Sequence, residues 1–95
     1  MQVKKSNRFK SEIKQIVKFI GESNPKNAER FYYALMDHLD SLVDHPRKGR
    51  TTEEGGRELI YKGYTIPYLI DGDDIVIMGI FNQNEWSRET SRQLK

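Results

Sequence analysis

Cysteine is absent from the 95-residue sequence, so neither a disulfide framework nor a thiolate metal site is available. No apolar run approaches the roughly 20 residues that a membrane-spanning helix needs. The N-terminus lacks the apolar core of a signal peptide, and no group of acidic residues or histidines has metal-ligand spacing. The sequence therefore predicts one cytoplasmic domain over residues 1–95, without a metal, a cofactor or contact with a membrane.

The charge is small in total but unevenly distributed along the chain. The formal net charge is +2. Residues 1–20 contain six Lys or Arg and one Glu, whereas residues 66–85 contain four acidic residues and no basic one. Such segregation indicates macromolecular partners of opposite sign.

Two amphipathic helices are predicted in the first half of the chain. Ser6 or Asn7 offers an N-cap to the first helix, and Gly21 is expected to end it. Asn24-Pro25 opens the second helix, which should end before Pro46. Apolar residues recur at helical spacing in both, at Phe9, Ile13, Ile16, Val17 and Ile20, and then at Ala28, Phe31, Tyr32, Leu35, Leu39, Leu42 and Val43.

The second half of the chain has the period of β-strands. Residues 46–56 form a loop that is basic first and glycine-rich last. The predicted strands are residues 57–61, 64–70 and 75–81, after a short opening strand at residues 3–5. A short C-terminal helix carrying Trp86 is expected at the end. This order predicts an α+β fold, with a helical hairpin packed on one face of a small, mainly antiparallel sheet.

The layout resembles the RelE/ParE superfamily of toxins from type II toxin–antitoxin systems, over about residues 1–86. The resemblance rests on a strand running directly into a helix, on the helix exit at residues 42–50, on the strand entry at residues 57–59 and on the terminal hairpin at residues 64–81. It implies a cognate antitoxin protein as partner. It also implies one of two targets, which are DNA gyrase for ParE-type members and mRNA on the ribosome for RelE-type members.

The residues that the resemblance would assign to RNA cleavage are mostly missing. Residues 64–84 contain no Lys, Arg or His, Thr65 stands where the ribonucleases have arginine, and Trp86 stands where they have a tyrosine or histidine. Each lost donor to a developing oxyanion costs roughly 3–4 kcal/mol of transition-state stabilisation. The sequence therefore favours the ParE-like branch, which binds its target.

Three sets of candidate residues follow. The predicted target-binding surface consists of Arg47, Lys48, Arg50, Arg57 and Trp86. A minimal nuclease site, as the alternative, would consist of Arg57, Glu58 and Lys62. The ridge Lys10, Lys14 and Lys18 is the candidate strip for binding an acidic antitoxin.

A third alternative for the function, beside the gyrase inhibitor and the ribonuclease, is a non-toxic member of the superfamily that binds only its antitoxin and operator DNA.

Overall fold

A computed structural model describes residues 1–82 of the chain. The elements in these residues follow one another as β1 (Gln2–Lys5), α1 (Asn7–Ser23), α2 (Pro25–Asp40), a 3₁₀ turn (Ser41–Val43), β2 (Arg50–Thr51), β3 (Arg57–Tyr61), β4 (Tyr64–Asp71), β5 (Asp74–Ile77) and β6 (Phe81–Asn82). The order of helices followed by strands confirms the predicted α+β fold. The predicted C-terminal helix lies outside the described residues.

Asn24 joins the two helices and caps both of them. Its backbone N–H donates to the carbonyl of Ile20 at the end of α1, and its side chain accepts from the N–H of Asn27 in α2. The prediction that Gly21 ends the first helix is wrong, because α1 continues to Ser23. Gly21 instead lies where the helices approach each other, since a Cβ there would be 3.5 Å from that of Ala28.

The strands form one mixed sheet in the order β1-β5-β4-β3-β2, with β6 also paired to β4. Strand β1 runs parallel to β5, and the other pairs are antiparallel. The β3–β4 hairpin turns at Lys62 and Gly63, whose φ angles of 48° and 86° suit a type I′ turn. The predicted loop at residues 46–56 contains the two-residue strand β2, which the sequence analysis missed.

One face of the sheet packs against the helical hairpin. Because side chains alternate along a strand, Leu59, Ile66, Tyr68, Ile75 and Ile77 all point to this face and are buried. They share a core with helix residues, of which the buried members are Phe9, Ile13, Leu35, Leu39 and Leu42. The opposite face is less covered, and its Ile60 and Leu69 are exposed. In residues 1–82 no helix has the length and apolarity to cross a membrane.

The last predicted strand, residues 75–81, is interrupted in the structure. Strand β5 ends at Ile77 and β6 begins at Phe81. The N-terminal part of α1 satisfies the backbone of the interruption. The hydroxyl of the N-cap Ser6 donates to the carbonyl of Met78 over 2.8 Å, and Glu12 Oε1 accepts from the N–H of Ile80 over 3.1 Å. Glu12 also pairs with Arg8. These bonds connect α1 to the interruption between β5 and β6.

Pro67 lies opposite this interruption. The Pro67 carbonyl accepts from the N–H of Met78 over 2.8 Å. Because the nitrogen and carbonyl of one residue face the same neighbour in an antiparallel pair, the Pro67 nitrogen also faces the break, where no ladder donor is required. A proline is therefore accommodated in an interior strand, a position from which prolines are normally excluded.

We predict that Ser6→Ala destabilises the fold by about 1–2 kcal/mol. The Ser6 hydroxyl caps α1 by accepting from the N–H of Phe9 over 3.0 Å, and it also holds the Met78 carbonyl, so one substitution removes two bonds. Urea unfolding measures the loss. Ser11→Ala, an exposed serine within α1, is the matched control and should change stability little. Equal unfolding midpoints for the two variants would contradict this role of Ser6.

Candidate functional site

A basic segment connects the helices to the sheet. We call residues 45–50 the basic turn, since they contain Arg47, Lys48 and Arg50. The N–H of Lys48 donates to the carbonyl of His45 over 3.0 Å and closes the turn. The side chains of Arg47 and Lys48 are exposed.

A buried tyrosine beneath the basic turn forms hydrogen bonds to the backbone of the turn. Tyr68 is 1% exposed, and its hydroxyl donates to the carbonyl of Pro46 and accepts from the N–H of Gly49, both over 2.8 Å. A Cβ at Gly49 would lie 2.7 Å from the Tyr68 ring and from the Glu58 carbonyl. Only glycine therefore fits at this position without displacing the tyrosine or strand β3.

Arg57 also forms hydrogen bonds to the backbone of the basic turn. Its Nη1 donates to the carbonyl of Gly49 over 2.7 Å and to that of Arg47 over 3.2 Å. The guanidinium is thereby bound to the backbone of the turn and is half-buried. Of the residues predicted to bind the target, Arg57 positions the surface, while Arg47 and Lys48 present their charges to solvent.

Arg50 and Glu58 form an ion pair across strands β2 and β3. Arg50 Nε lies 2.7 Å from Glu58 Oε1, with exposed side-chain fractions of 61% and 23%. Arg50 and Glu58 are register partners in the ladder. The pair aligns the short strand β2 and leaves Arg50 partly accessible beside the turn.

The described structure does not bring Arg57, Glu58 and Lys62 together. Arg57 and Glu58 are neighbours on one strand, so their side chains point to opposite faces. Lys62 is five positions from Arg57, a strand distance of about 16 Å, and its Nζ lies 5.6 Å from the ring centroid of Tyr61. Each member of the predicted nuclease site thus has a separate partner.

His38, on α2, is a titratable side chain close enough to the basic turn to sense the charge of Lys48. Its ring packs on Tyr61, with centroids 4.8 Å apart. Burial lowers the pKa of His38, and the positive charge of Lys48 lowers it further. The lowered pKa favours the neutral form of the imidazole. In residues 1–82 no three His, Asp or Glu side chains converge to hold a metal ion.

The lysine ridge lies on α1. Lys10, Lys14 and Lys18 are all exposed. Lys10 and Lys14 border a groove of about 410 Å³ between the helices, which we call the helical groove. Its other lining residues are Lys5, Phe9, Ile13, Val17, Tyr32 and Met36. The ridge therefore flanks an apolar depression, which sequence spacing alone did not indicate.

Trp86, the remaining predicted target-binding residue, lies outside the described residues. Sequence analysis in turn missed Tyr68 and Gly49, which shape the basic turn. In the sequence, Tyr68 resembles any other aromatic residue of a strand, and Gly49 is one of several loop glycines. Tyr68 on β4 and Gly49 in the basic turn come together only in the folded chain.

We predict that Tyr68→Phe costs about 1–3 kcal/mol of stability, because it leaves the Pro46 carbonyl and the Gly49 N–H without their partner. The ring and its packing are retained. Urea unfolding gives the loss, and amide exchange of Gly49 should accelerate in the variant. Tyr33→Phe, which alters an exposed tyrosine of α2, is the control. If both variants unfold at the same urea concentration, the hydroxyl does not stabilise the turn.

Comparison with known proteins agrees with this architecture. A family model described as the ParE toxin of the type II toxin–antitoxin system parDE matches residues 3–85. A solved chain of the chromosomal ParDE toxin–antitoxin system from P. aeruginosa superposes with a TM-score of 0.77 at 20% identity, covering 86% of this chain and 95% of that one. No curated protein matches this sequence.

The structural match supports the fold, and the family model carries the assignment because it spans both helices and all the strands described above. It confirms the resemblance to the RelE/ParE superfamily and its ParE-like branch, and such membership implies an antitoxin partner. The chain belongs to the ParE toxin family of type II toxin–antitoxin systems.

Proposed function

We propose that this protein inhibits growth by binding a macromolecular target through the basic turn, that the target is DNA gyrase, and that a cognate antitoxin neutralises it. The observation that carries the proposal is the position of Arg57. Its guanidinium is bound to the carbonyls of Gly49 and Arg47, so it orders the turn while Arg47 and Lys48 remain exposed.

Preorganisation makes the basic turn suitable for binding. Tyr68 and Arg57 fix four backbone groups of the turn, so little conformational entropy is lost when a partner docks. Exposed charges at an interface mainly accelerate association and select partners of complementary potential. The Arg47 guanidinium can also grip a carboxylate or phosphate with two parallel hydrogen bonds.

The same geometry argues against RNA cleavage by these residues. Cleavage requires a base, an acid and cations converging on one phosphate. Arg57, Glu58 and Lys62 are each engaged elsewhere, and the ring of His38 is packed on Tyr61. Binding without bond cleavage is therefore the activity that the described residues support best.

We predict that Arg47→Ala combined with Lys48→Ala weakens gyrase inhibition about tenfold, which corresponds to two exposed charge contacts of under 1 kcal/mol each. Inhibition of supercoiling by purified gyrase gives the magnitude. In cells, the wild-type protein should arrest thymidine incorporation before leucine incorporation, and the double variant should delay that arrest. Lys26→Ala with Arg30→Ala removes two exposed charges from α2 and is the matched control.

Earlier arrest of leucine incorporation would overturn the gyrase proposal and favour the ribonuclease. Glu58→Gln and Lys62→Ala are then the informative variants, because Arg57→Ala would also release the basic turn. A protein that arrests neither process on induction would leave only the non-toxic alternative.

The helical groove is the proposed antitoxin site. An amphipathic helix binds a groove of this kind through its apolar face, and the lysines on the border would attract acidic residues beside that face. Phe9, Ile13 and Val17 supply the apolar floor on α1, and Lys10 and Lys14 supply the charge. Antitoxin and target would then occupy different surfaces.

We predict that Lys10→Glu with Lys14→Glu weakens antitoxin binding at least tenfold and leaves toxicity intact, since neither lysine belongs to the basic turn. Calorimetry with the cognate antitoxin measures the affinity, and co-expression tests rescue of growth. Lys26→Glu with Arg30→Glu makes the same charge change on α2 and should not affect either. Unchanged affinity in the Lys10/Lys14 variant would exclude the ridge.

A further inference from the structure

The helical groove has walls of opposite charge. Its α1 wall is the lysine ridge, whose side chains repeat every four residues. On the α2 wall, Glu29 lies three positions before Tyr32, and Asp40 lies four positions after Met36. Because residues three or four apart are neighbours on a helix surface, both carboxylates border the part of the groove that Tyr32 and Met36 line. Glu29 and Asp40 are exposed.

The register of the two helices aligns these charges across the groove. The helices are antiparallel, and their close approach at Gly21 and Ala28 gives a reference level near the connecting turn. The ion pair between Lys5 and Asp40, with Nζ and Oδ1 3.8 Å apart, gives a second level near the other end. Two pairs of opposite charges are therefore level with each other to within about half a helical turn: Lys10 with Asp40, and Lys18 with Glu29.

The floor between the walls is apolar and partly open to solvent. Side chains of both helices form it, and Tyr32 among them is 37% exposed. The Tyr32 ring packs edge to face against Tyr33, which is 61% exposed, with the ring centroids 5.4 Å apart. An apolar strip between charged borders is the arrangement by which helices recognise one another. The groove therefore fits a helical partner.

A second copy of the chain complements both walls at once. When the two-fold axis of a dimer runs parallel to the helices, the basic wall of each copy faces the acidic wall of the other. Each α1 then lies antiparallel to the α2 of the other copy. An axis across the helices would instead place the lysine ridge against itself, which like-charge repulsion disfavours. A partner of one charge sign would match only one wall.

We propose that two copies of this chain pair through the helical groove and form a dimer with four helices at its centre. Lys18 of each copy meets Glu29 of the other, and Lys10 meets Asp40. Within residues 1–82, Lys10, Lys18 and Glu29 form no ion pair with their own chain, so their charges are available to a second copy. The apolar floor supplies the affinity, and the charged walls fix the orientation.

The dimer and the antitoxin would use the same groove, so the two modes of binding are mutually exclusive. Only this exclusion rests on the proposed antitoxin site. The dimer itself rests on the two helices and involves no residue of the basic turn. Because it is measured on the toxin alone, its failure would leave the proposed antitoxin and target sites unaffected.

Sedimentation of the purified full-length chain, without antitoxin, tests the proposal. The wild-type protein should sediment with twice the mass of one chain at high micromolar concentration. An acid-walled variant (Lys10→Glu, Lys14→Glu, Lys18→Glu) and a base-walled variant (Glu29→Lys, Asp40→Lys) should each self-associate at least tenfold more weakly, because both walls then carry the same sign. An equimolar mixture of the two variants should form a heterodimer, since walls of opposite charge meet again.

Glu53→Lys with Glu54→Lys is the matched control, because it makes the charge change of the base-walled variant in the exposed β2–β3 loop and should leave the dimer intact. A monomeric wild-type protein would overturn the proposal, as would a mixture that fails to associate. Variants that remain dimeric would place the interface elsewhere. If circular dichroism shows that a variant does not fold, the wild-type protein decides: carbodiimide should join Lys18 of one copy to Glu29 of the other, and a cross-linked dimer without this bond refutes the groove.

Discussion

The Tyr68 hydroxyl is the interaction on which the site depends. It lies under the basic turn, in a core position, and bonds to backbone groups on both sides of Arg47 and Lys48. A phenol is well suited to this role because one oxygen can donate and accept at once. These two bonds offset the free-energy cost of burying the hydroxyl. They also attach the basic turn, which contains no helix or strand before Arg50, to the rigid sheet.

The geometry of α1 separates the surfaces that we propose for different partners. Its buried stripe faces the sheet, and one flank borders the helical groove. Helical periodicity makes this division possible within 17 residues. The basic turn lies at a third place, beyond the end of α2. A small domain can thus carry separate determinants for its antitoxin and its target without enlarging its core.

Much of this fold could be predicted from the sequence because the signals are local. The cap at Asn24-Pro25, the change of period after residue 56 and the turns at Lys62-Gly63 and Asp71–Asp74 each act over a few residues. The break between β5 and β6 could not be predicted, since the apolar run at residues 75–81 hides it and its compensating bonds come from Ser6 and Glu12. Gly21 was misleading because it allows a close helix approach and does not end α1.

The sequence predicted which basic residues belong to the candidate site, but it did not predict the separate role of each one. Spacing identified Arg47, Lys48, Arg50 and Arg57 as one basic set, yet it could not tell which of them face solvent. That distinction depends on long-range register, which places Arg57 beside the Gly49 carbonyl and Tyr68 below the turn. The groove beside the lysine ridge likewise needs both helices, so the sequence of α1 alone did not reveal it.

The parallel pairing of β1 with β5 has a consequence for biosynthesis. Gln2 is the register partner of Asp74, and the bond from Ser6 to Met78 spans 72 residues. Contacts of such sequence separation form late, because the loop between them must first be closed. On the ribosome the helical hairpin can assemble early, but the sheet stays incomplete until nearly the whole described chain has left the exit tunnel. The sheet of a nascent chain therefore closes only after strand β5 has left the ribosome.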